Sequence, residues 1–282
     1  MAESATTPAV AARRPAEPPD TAGERHSALL SVQRLTKSYP VPEGRRTVVE
    51  DLDLDVRPGE IVTIVGPSGA GKTTLLRCIA GLLPASSGQV VIGGRPVTGP
   101  PEQLAVVFQD YSRSLMPWLS VRHNVELPLR GKNVPRDERR RRVTDALADV
   151  GLGHTAEQHP WQLSGGMQQR VAIARALAYR PQAMLMDEPF ASVDAQTRAD
   201  LEDLVLDLRQ RLDITILLVT HDIDEAVYLG DTVVVLGGRP TRVRERLTVP
   251  LGRDRDQATT KALPEFVRLR THILTGIREG AS

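Results

Sequence analysis

Short apolar runs and longer amphipathic stretches alternate along most of this chain. Residues 61–65, 104–108, 183–186 and 214–219 are almost entirely apolar, which predicts strands buried on both faces. Between these runs apolar residues return every three or four positions, most clearly over 195–211, which predicts helices. Strands that alternate with helices are typical of an α/β fold with a mostly parallel sheet.

Three further segments predict strands in the first third of the chain. Residues 31–35 alternate polar and apolar side chains, and 89–92 form a short apolar segment after a glycine turn. The alternation is cleanest over 48–56, where leucine and valine occupy one face and aspartate the other. This pattern predicts a strand with one buried face and one solvated face.

The ends of the chain differ from its middle. Residues 1–28 are rich in Ala and Pro and hold few large apolar side chains, so we expect a disordered tail. Residues 29–250 carry the strand and helix pattern of the main domain, and helical spacing without strands indicates a helical insert at about 110–165. Residues 251–282 are expected to form a C-terminal extension, with a helix over 263–277.

Composition narrows the classes of function. Lys and Arg number 36 against 35 Asp and Glu, and aromatic residues are only 3%, which disfavours a nucleic-acid-binding surface. The single cysteine, Cys78, excludes an internal disulfide and falls among the apolar positions of a predicted helix. The apolar runs are too short to cross a bilayer, so we expect a soluble, cytoplasmic chain without a transmembrane segment.

A glycine-rich segment between the apolar strand 61–65 and a predicted helix has the spacing of a phosphate-binding loop. Its glycines let the backbone wrap closely around an anion, and Lys72 adds a charge for the terminal phosphates. The Thr73 hydroxyl is suited to bind Mg²⁺. The loop consists of Gly66, Pro67, Ser68, Gly69, Ala70, Gly71, Lys72, Thr73 and Thr74.

Polar residues follow three of the other predicted strands. Asp187 is placed to hold Mg²⁺ together with Thr73, and Glu188 is placed to take a proton from an attacking water. Gln109 can orient water or bind the metal, and His221 can hydrogen-bond a γ-phosphate. The alternatives are a capping role for the two acids and a structural role for the histidine.

At this point several motifs together resemble the ATP-binding cassette (ABC) ATPases. Leu163–Arg170, with the sequence Leu-Ser-Gly-Gly-Met-Gln-Gln-Arg, is similar to the signature motif of that family. Gln109, the turn 192–194 and His221 stand at the places of the Q-loop, D-loop and switch histidine, and Tyr39 at that of the aromatic residue that stacks on adenine. The resemblance covers about residues 29–250, with Met167 and Val193 as departures that keep side-chain volume.

The resemblance implies a fold, two cofactors and a dimer. The fold would be a P-loop NTPase core with a mostly parallel sheet, an antiparallel β part near the N-terminus and a helical subdomain. ATP and Mg²⁺ would bind between the phosphate loop of one chain and the signature motif of a second copy, paired head to tail. The signature residues implied in nucleotide binding are Ser164, Gly165, Gly166 and Gln168.

Four parts of the chain resemble the cassettes of importers for nitrate, sulfonates and taurine: Tyr111–Val125, Met167, and the segments 190–198 and 220–226. This branch implies an energy-coupling subunit on the cytoplasmic face of the membrane. It would contact transmembrane permease subunits through Tyr111–Val125, and an extracytoplasmic solute-binding protein only indirectly. An exporter cassette, a soluble ABC ATPase acting on nucleic acid or ribosomes, and a small-molecule kinase are the alternatives.

Within this segment Trp118 and Leu119 allow two interpretations. They could line the groove that grips a helix of the permease, or they could belong to the core of the helical subdomain. The sequence leaves both open.

Overall fold

The computed structural model describes residues 28–109 and 114–279. The tail expected at 1–28 therefore lies, apart from its last residue, outside the described residues. The ten strands of the described part are β1 Leu30–Val41, β2 Gly44–Val56, β3 Ile61–Val65, β4 Ser87–Ile92, β5 Arg95–Pro96, β6 Leu104–Val107, β7 Ala183–Asp187, β8 Thr215–Val219, β9 Thr232–Gly237 and β10 Arg242–Thr248.

The α-helices of the described part follow the predicted periodicity. Their bounds are α1 Lys72–Ile79, α2 Val121–Arg130, α3 Arg136–Asp149, α4 Gly165–Ala178, α5 Ala195–Leu212, α6 Ile223–Leu229, α7 Gln257–Lys261 and α8 Pro264–Glu279. Two short 3₁₀ segments, Gly153–Thr155 and Pro160–Gln162, connect α3 to α4.

The strands form two sheets. A six-stranded sheet has the order β10-β9-β3-β8-β7-β6, in which β10 is antiparallel to β9 and the other neighbours are parallel. A four-stranded antiparallel sheet has the order β2-β1-β4-β5. The fold is therefore the mixed α/β architecture that the sequence predicts, with the antiparallel part near the N-terminus.

The larger sheet separates two hydrophobic cores. All residues of β3, β7 and β8 are buried, as central parallel strands require. Successive residues of a strand point to opposite faces, so Ile61 and Val65 pack in one core while Val62 and Ile64 pack in the other. The first core includes α4, α5 and α6, and the second includes α1 and the antiparallel sheet.

This topology brings the carboxyl ends of four strands to the same edge of the sheet. Strands β3, β6, β7 and β8 are parallel, so their carboxyl ends lie at the same edge. The residues that follow these strands are the phosphate loop, Gln109, Glu188 and His221. Open α/β sheets bind their ligands at this edge.

The helical region contains the apolar helix that the sequence pattern predicts. The apolar stripe Val143, Ala146, Leu147 and Val150 is buried.

Strand β6 ends one residue earlier than the sequence pattern predicts. It ends at Val107, and Phe108, which the pattern assigns to the buried strand, is 44% exposed. A run of apolar residues in the sequence does not show at which residue the strand ends.

The C-terminal extension packs onto the main domain. Helix α8 contacts α6 and β9, and its buried side chains are Phe266, Leu269 and Ile273, the three that the sequence pattern turns inward.

Cys78, on α1, is buried as its apolar position predicts, and burial raises the pKa of its thiol. In the part of the chain that the structure describes, no helix is both long enough and apolar enough to span a membrane.

Candidate functional site

The loop between β3 and α1 is a tight turn in which two glycines leave no room for a side chain. A Cβ on Gly66 would lie 2.9 Å from the carbonyl oxygen of Leu236. Gly71, the N-cap of α1, has a φ of 70°, in the left-handed region, and a Cβ there would lie 2.7 Å from Cγ1 of Val48. The turn leads directly into the first N–H groups of α1, which favour an anion.

Lys72 is folded over this loop. Its side chain is largely buried, and Nζ donates hydrogen bonds to the carbonyl oxygens of Gly66, at 2.8 Å, and Pro67, at 3.2 Å. Burial lowers the pKa of Lys72, and the negative charges of Glu188 and Asp187 oppose that shift. The cation therefore lies between the loop and the two acids that follow β7.

The carboxyl of Asp187 lies next to Thr73, the second residue of α1. Burial raises the pKa of Asp187, the charge of Glu188 raises it further, and a hydrogen bond from the Thr73 side chain opposes the shift. A carboxylate and a hydroxyl are oxygen ligands of the type that Mg²⁺ binds. Among the described residues no group of three His, Cys, Asp or Glu side chains could hold a metal, so this pair does not belong to a larger acidic cage.

Glu188 has an unusual backbone conformation. Its φ of 44° lies in the left-handed region, which is strained for a residue with a side chain. Its N–H donates to the carbonyl oxygen of Val219 in β8 at 2.8 Å, which holds the turn in place. As a result Glu188 and Asp187, although adjacent in sequence, contact different partners.

Gln109, Glu188 and His221 meet at the edge of the sheet. Gln109 Nε2 donates to Oε2 of Glu188 at 2.9 Å. Nδ1 of His221 lies 3.2 Å from the same oxygen, and the His221 side chain is 63% exposed. The structure thus brings the three predicted residues together, with the imidazole open to solvent and the carboxylate behind it.

The signature segment opens a second helix. Ser164 is the N-cap of α4, and its hydroxyl accepts a hydrogen bond from the N–H of Met167 at 3.3 Å. The Gln168 side chain donates to the carbonyl oxygen of Leu163 at 3.2 Å. Ser164 is exposed, and the first N–H groups of α4 follow it, so this helix start is a second position suited to an anion.

The first turn of α4 packs closely against α5. A Cβ on Gly166 would lie 2.2 Å from Cγ2 of Thr197. Asp194, the N-cap of α5, holds Thr197: its carboxylate accepts from the Thr197 N–H at 3.0 Å and from the Thr197 hydroxyl at 2.7 Å. The signature segment is therefore in direct contact with the helix that follows the turn 192–194.

The two helix starts belong to different parts of the fold. Helix α1 packs against β1, β2, β7 and β8, whereas α4 packs mainly against α2, α3 and β6. This separation agrees with the expectation that one chain does not bring its phosphate loop and its own signature segment to the same nucleotide.

Tyr39 lies on β1, opposite Arg46 on β2. Its side chain is partly exposed, and the Lys37 Nζ is 5.2 Å from the centre of its ring. Val48, which contacts Gly71 of the loop, is two residues along β2 from Arg46. The aromatic ring is therefore on the strand pair that approaches the phosphate loop.

Trp118 is not part of the helical core. Its side chain is 72% exposed, so the interpretation that buries it is wrong. Leu119 is half-buried, and Leu115, four residues earlier, is buried. Tyr111–Arg113, the start of the segment expected to contact a permease, lie outside the described residues.

The loop that carries Trp118 is held by the buried side chain of Asn124. The amide oxygen of Asn124 accepts from the N–H of Met116 at 2.7 Å. Its amide nitrogen donates to the carbonyl oxygens of Met116, Leu119 and Ser120, each at 3.1 Å. A satisfied buried amide fixes this loop, so the exposed ring of Trp118 projects from a defined backbone.

Sequence reasoning missed two residues near the site. Thr197 is the contact of Gly166 described above. Trp161 precedes the signature segment, is 72% exposed, and stacks on His159 with ring centres 6.1 Å apart. A tryptophan within the polar stretch His159–Gln162 was the only signal available for it.

Comparison with known proteins places the chain among these ATPases. A family model described as "ABC transporter" matches residues 49–191. An uncharacterized ABC transporter ATP-binding protein of Methanocaldococcus jannaschii is 44% identical over 256 residues, covering 91% of this chain and 94% of that protein. A taurine import ATP-binding protein of Pseudomonas entomophila is 42% identical, covering 89% of this chain and 96% of that protein.

Two further comparisons extend this result. A nitrate import ATP-binding protein of Synechococcus elongatus is 39% identical, covering 91% of this chain and 94% of that protein. The solved structure of a dimeric ATP-binding cassette in a post-hydrolysis state, bound to ADP and Pi, has a TM-score of 0.68 and 33% identity. It covers 78% of this chain and 98% of the other.

Proposed function

Because the chain belongs to the ABC transporter family, we propose that it is the ATP-hydrolysing, energy-coupling subunit of an importer. The observation that carries the catalytic part is the contact of Gln109 and His221 with one carboxylate oxygen of Glu188, beside the phosphate loop. The similarity to taurine and nitrate import ATP-binding proteins favours import over export.

ATP would bind with its phosphates on the loop Gly66–Thr74 and its adenine on Tyr39. The close approach of backbone at Gly66 and Gly71 and the position of Lys72 support the phosphate part of this proposal. The partly exposed ring of Tyr39 is suited to stack on a base.

Mg²⁺ would be held by Thr73, Asp187 and Gln109. The Thr73 side chain is close enough to Asp187 to oppose the rise in its pKa, so two of the oxygen ligands lie near each other, which supports this assignment. When bound, the ion neutralises charge on the phosphates. One protein carboxylate suits Mg²⁺, which takes further ligands from phosphate and water.

Glu188 would accept a proton from the attacking water, and His221 would hydrogen-bond the γ-phosphate. The Glu188 oxygen that accepts from Gln109 also lies 3.2 Å from Nδ1 of His221, so the proposed base is adjacent to the residue that would bind the γ-phosphate. His221 is open to solvent, as a residue that meets a ligand must be.

The active form would be a head-to-tail dimer of two copies. The dimeric structure of a related cassette with ADP and Pi supports this proposal. In it Ser164, Gly165, Gly166 and Gln168 of one copy would complete the site of the other. The exposed N-cap Ser164 and the N–H groups that follow are suited to contact phosphate from outside the chain.

The chain would lie at the cytoplasmic face of the membrane and contact the permease through Tyr111–Val125. An exposed tryptophan on a loop fixed by Asn124 supports an interface in this segment. Contact with a solute-binding protein would be indirect, and no nucleic-acid partner is proposed. The solute would be nitrate, a sulfonate or a taurine-like compound, as the names of relatives suggest.

The importer function can be tested together with the role of Trp118. In a strain that lacks this chain, the wild type should restore growth on taurine, an alkanesulfonate or nitrate as sole sulfur or nitrogen source. We expect Trp118→Ala to keep the basal ATPase rate of the purified protein and to fail to restore growth, because its exposed side chain touches the permease rather than the nucleotide.

Leu212→Ala is the matched control, since Leu212 is also an exposed apolar residue, at the end of α5 and far along the chain from Trp118. It should restore growth. If the deletion strain grows normally on all three sources, the proposed solute class is wrong; if Trp118→Ala restores growth fully, Trp118 does not couple the two subunits.

Tyr39→Ala should weaken ATP binding by about 1–3 kcal/mol, the range for loss of one base–aromatic stack. The measurement is the equilibrium dissociation constant for ATP, and the control is Tyr39→Phe, which keeps the ring and should bind as the wild type does. An unchanged affinity in the alanine variant would mean that another residue holds adenine.

A further inference from the structure

Both tryptophans of this chain lie on its surface. Trp118 and Trp161 are each 72% exposed. Tryptophan is highly buried on average, and where it is exposed it is enriched at surfaces that another molecule covers. Trp118 lies in the segment proposed to contact the permease. Trp161 has no part in the function proposed above, so its exposure needs an explanation of its own.

Trp161 projects from a turn that hydrogen bonds hold in place. It is the middle residue of the 3₁₀ segment Pro160–Gln162. The N–H of His159 donates to the side-chain oxygen of Gln162 at 2.7 Å, and the N–H of Gln162 donates to the carbonyl oxygen of His159 at 2.9 Å. The ring of His159 stacks on that of Trp161. A ligand that covers the indole therefore has little backbone to immobilise.

The same turn runs directly into the signature segment. The N–H of Leu163 donates to the carbonyl oxygen of Pro160 at 3.1 Å, and the carbonyl oxygen of Leu163 accepts from the Gln168 side chain at 3.2 Å. Pro160 and Leu163 are buried, whereas Trp161 and Ser164 are exposed. Side chains three positions apart lie on the same side of a 3₁₀ turn. This repeat of three favours placing Trp161 and Ser164 on one side of the segment, away from the core.

The indole is within reach of a nucleotide whose phosphates meet Ser164. Trp161 is three residues from Ser164, which is at most about 10 Å along the chain, and the side chain adds its own length. In the proposed dimer, Ser164 meets the phosphates of the ATP that lies on the loop of the other copy. The adenine at the far end of that ATP is therefore within the range of Trp161.

That adenine has one face to spare. A base has two flat faces, and each can stack on an aromatic ring. Tyr39 of the copy that binds the phosphates would cover one of them, since its partly exposed ring lies on the strand pair that approaches the phosphate loop. Closure of the dimer brings the other copy to the same ATP, so a ring beside Ser164 is suited to cover the second face.

We propose that Trp161 of each copy stacks on the adenine of the ATP bound to the other copy. The proposal rests on the head-to-tail dimer of the proposed function and gives that dimer a further binding residue. Trp161 does not contribute to ATP binding by a single copy. It makes closure of the dimer depend on the base as well as on the phosphates, and two copies supply two such stacks.

The first test measures the dimer dissociation constant at saturating ATP by sedimentation, in a Glu188→Gln background that does not consume the nucleotide. One base–aromatic stack changes an equilibrium constant by about 5- to 150-fold, so loss of two stacks in Trp161→Ala should weaken the dimer by at least about 25-fold. Trp118→Ala is the matched control, because it removes an equally exposed tryptophan, and it should dimerise as the parent does. Trp161→Phe keeps a ring and should recover most of the affinity.

A nucleotide without a base separates adenine from the protein surface of the second copy. With saturating ribose 5′-triphosphate in place of ATP, Trp161→Ala and its parent should dimerise equally, because the group that the indole contacts is missing. Below the concentration at which dimers form, Trp161→Ala should bind ATP as the parent does. Melting temperatures show that each variant is folded, as expected for a change at an exposed position.

The second test follows Trp161 by its fluorescence. In Trp118→Phe/Glu188→Gln it is the only tryptophan of the chain. We expect ATP to quench its emission, because a stacked base quenches indole, and ribose 5′-triphosphate to leave it unquenched. On dilution of the protein at saturating ATP, the quench should disappear at the concentration at which the dimer dissociates.

Four results would overturn the proposal. They are a Trp161→Ala dimer as stable as its parent, an equal weakening in Trp118→Ala, a difference between Trp161→Ala and its parent that persists with ribose 5′-triphosphate, and a quench that persists in the monomer. The first of these, combined with failure to restore growth, would assign Trp161 to the permease. Failure of the proposed function looks different: the Glu188→Gln protein with both tryptophans intact would not dimerise with ATP.

Discussion

Replacement of Glu188 with Gln is expected to lower kcat for ATP hydrolysis by about 10²- to 10⁴-fold and to leave ATP binding intact. The amide has nearly the shape of the carboxylate and still offers an oxygen to Gln109, which donates to Oε2 in the wild type. It cannot take a proton from water. The loss should therefore fall on the chemical step and not on assembly of the site.

Three measurements test this expectation. Phosphate release gives kcat, equilibrium binding gives the affinity for ATP, and light scattering gives the mass of the complex with ATP. We expect a dimer that persists with ATP, since its reopening would need hydrolysis. Glu265→Gln, the same chemical change at a partly exposed position of α8 that pairs with Arg268, should behave as the wild type.

A turnover within tenfold of the wild type would remove Glu188 from the role of base. The backbone at this position gives one reason to expect a clear result. Its φ of 44° is strained for glutamate, and a protein keeps such strain only where the surroundings enforce it, often at functional sites. The amide variant retains that backbone, so the comparison isolates the proton acceptor.

The sequence could predict which strand ends meet, because parallel strands deliver their following residues to one edge. That rule alone places Gly66, Gln109, Glu188 and His221 near one another. The contacts of Gln109 and His221 with Glu188 agree with it. The proximity of four separate segments of the chain can therefore be predicted from the order of strands and polar residues alone.

Backbone conformation and long-range pairs could not be predicted in the same way. The sequence Asp187-Glu188 does not indicate that the backbone of Glu188 lies in the left-handed region, because glutamate rarely adopts that conformation. Arg198 and Asp222 lie 24 residues apart, and their contact depends on how α5 and α6 pack. Trp118 shows a third limit: an apolar side chain fits both a core and an interface, and only its exposure of 72% decides between them.

Gly166→Ala is expected to lower ATPase activity by about 10²-fold, an effect of the size seen when a site is displaced by about 1 Å. The new Cβ would lie 2.2 Å from Cγ2 of Thr197, far inside contact distance. Thr197 cannot turn away freely, because its hydroxyl donates to Asp194 and its χ1 angle is restricted by the branched Cβ. The first turn of α4 must therefore move, and Ser164 and its neighbouring N–H groups move with it.

Thr197→Ser separates this steric cause from a direct clash with nucleotide. Serine lacks Cγ2 but keeps the hydroxyl that bonds Asp194, so the single variant should hydrolyse ATP normally. In the double variant Gly166→Ala/Thr197→Ser the added methyl group would occupy the space that Cγ2 vacated, and most of the lost activity should return. ATP-dependent dimerisation, measured by light scattering, should return with it.

A double variant as inactive as Gly166→Ala would show that the methyl group obstructs something outside this chain. In that case residue 166 must be small only because the nucleotide bound to the partner lies against it. Rescue would instead show that glycine is needed at this position because of Thr197, the neighbour within the same chain. The signature segment would then be fixed from within by α5, and the turn 192–194 would set the position from which it meets ATP.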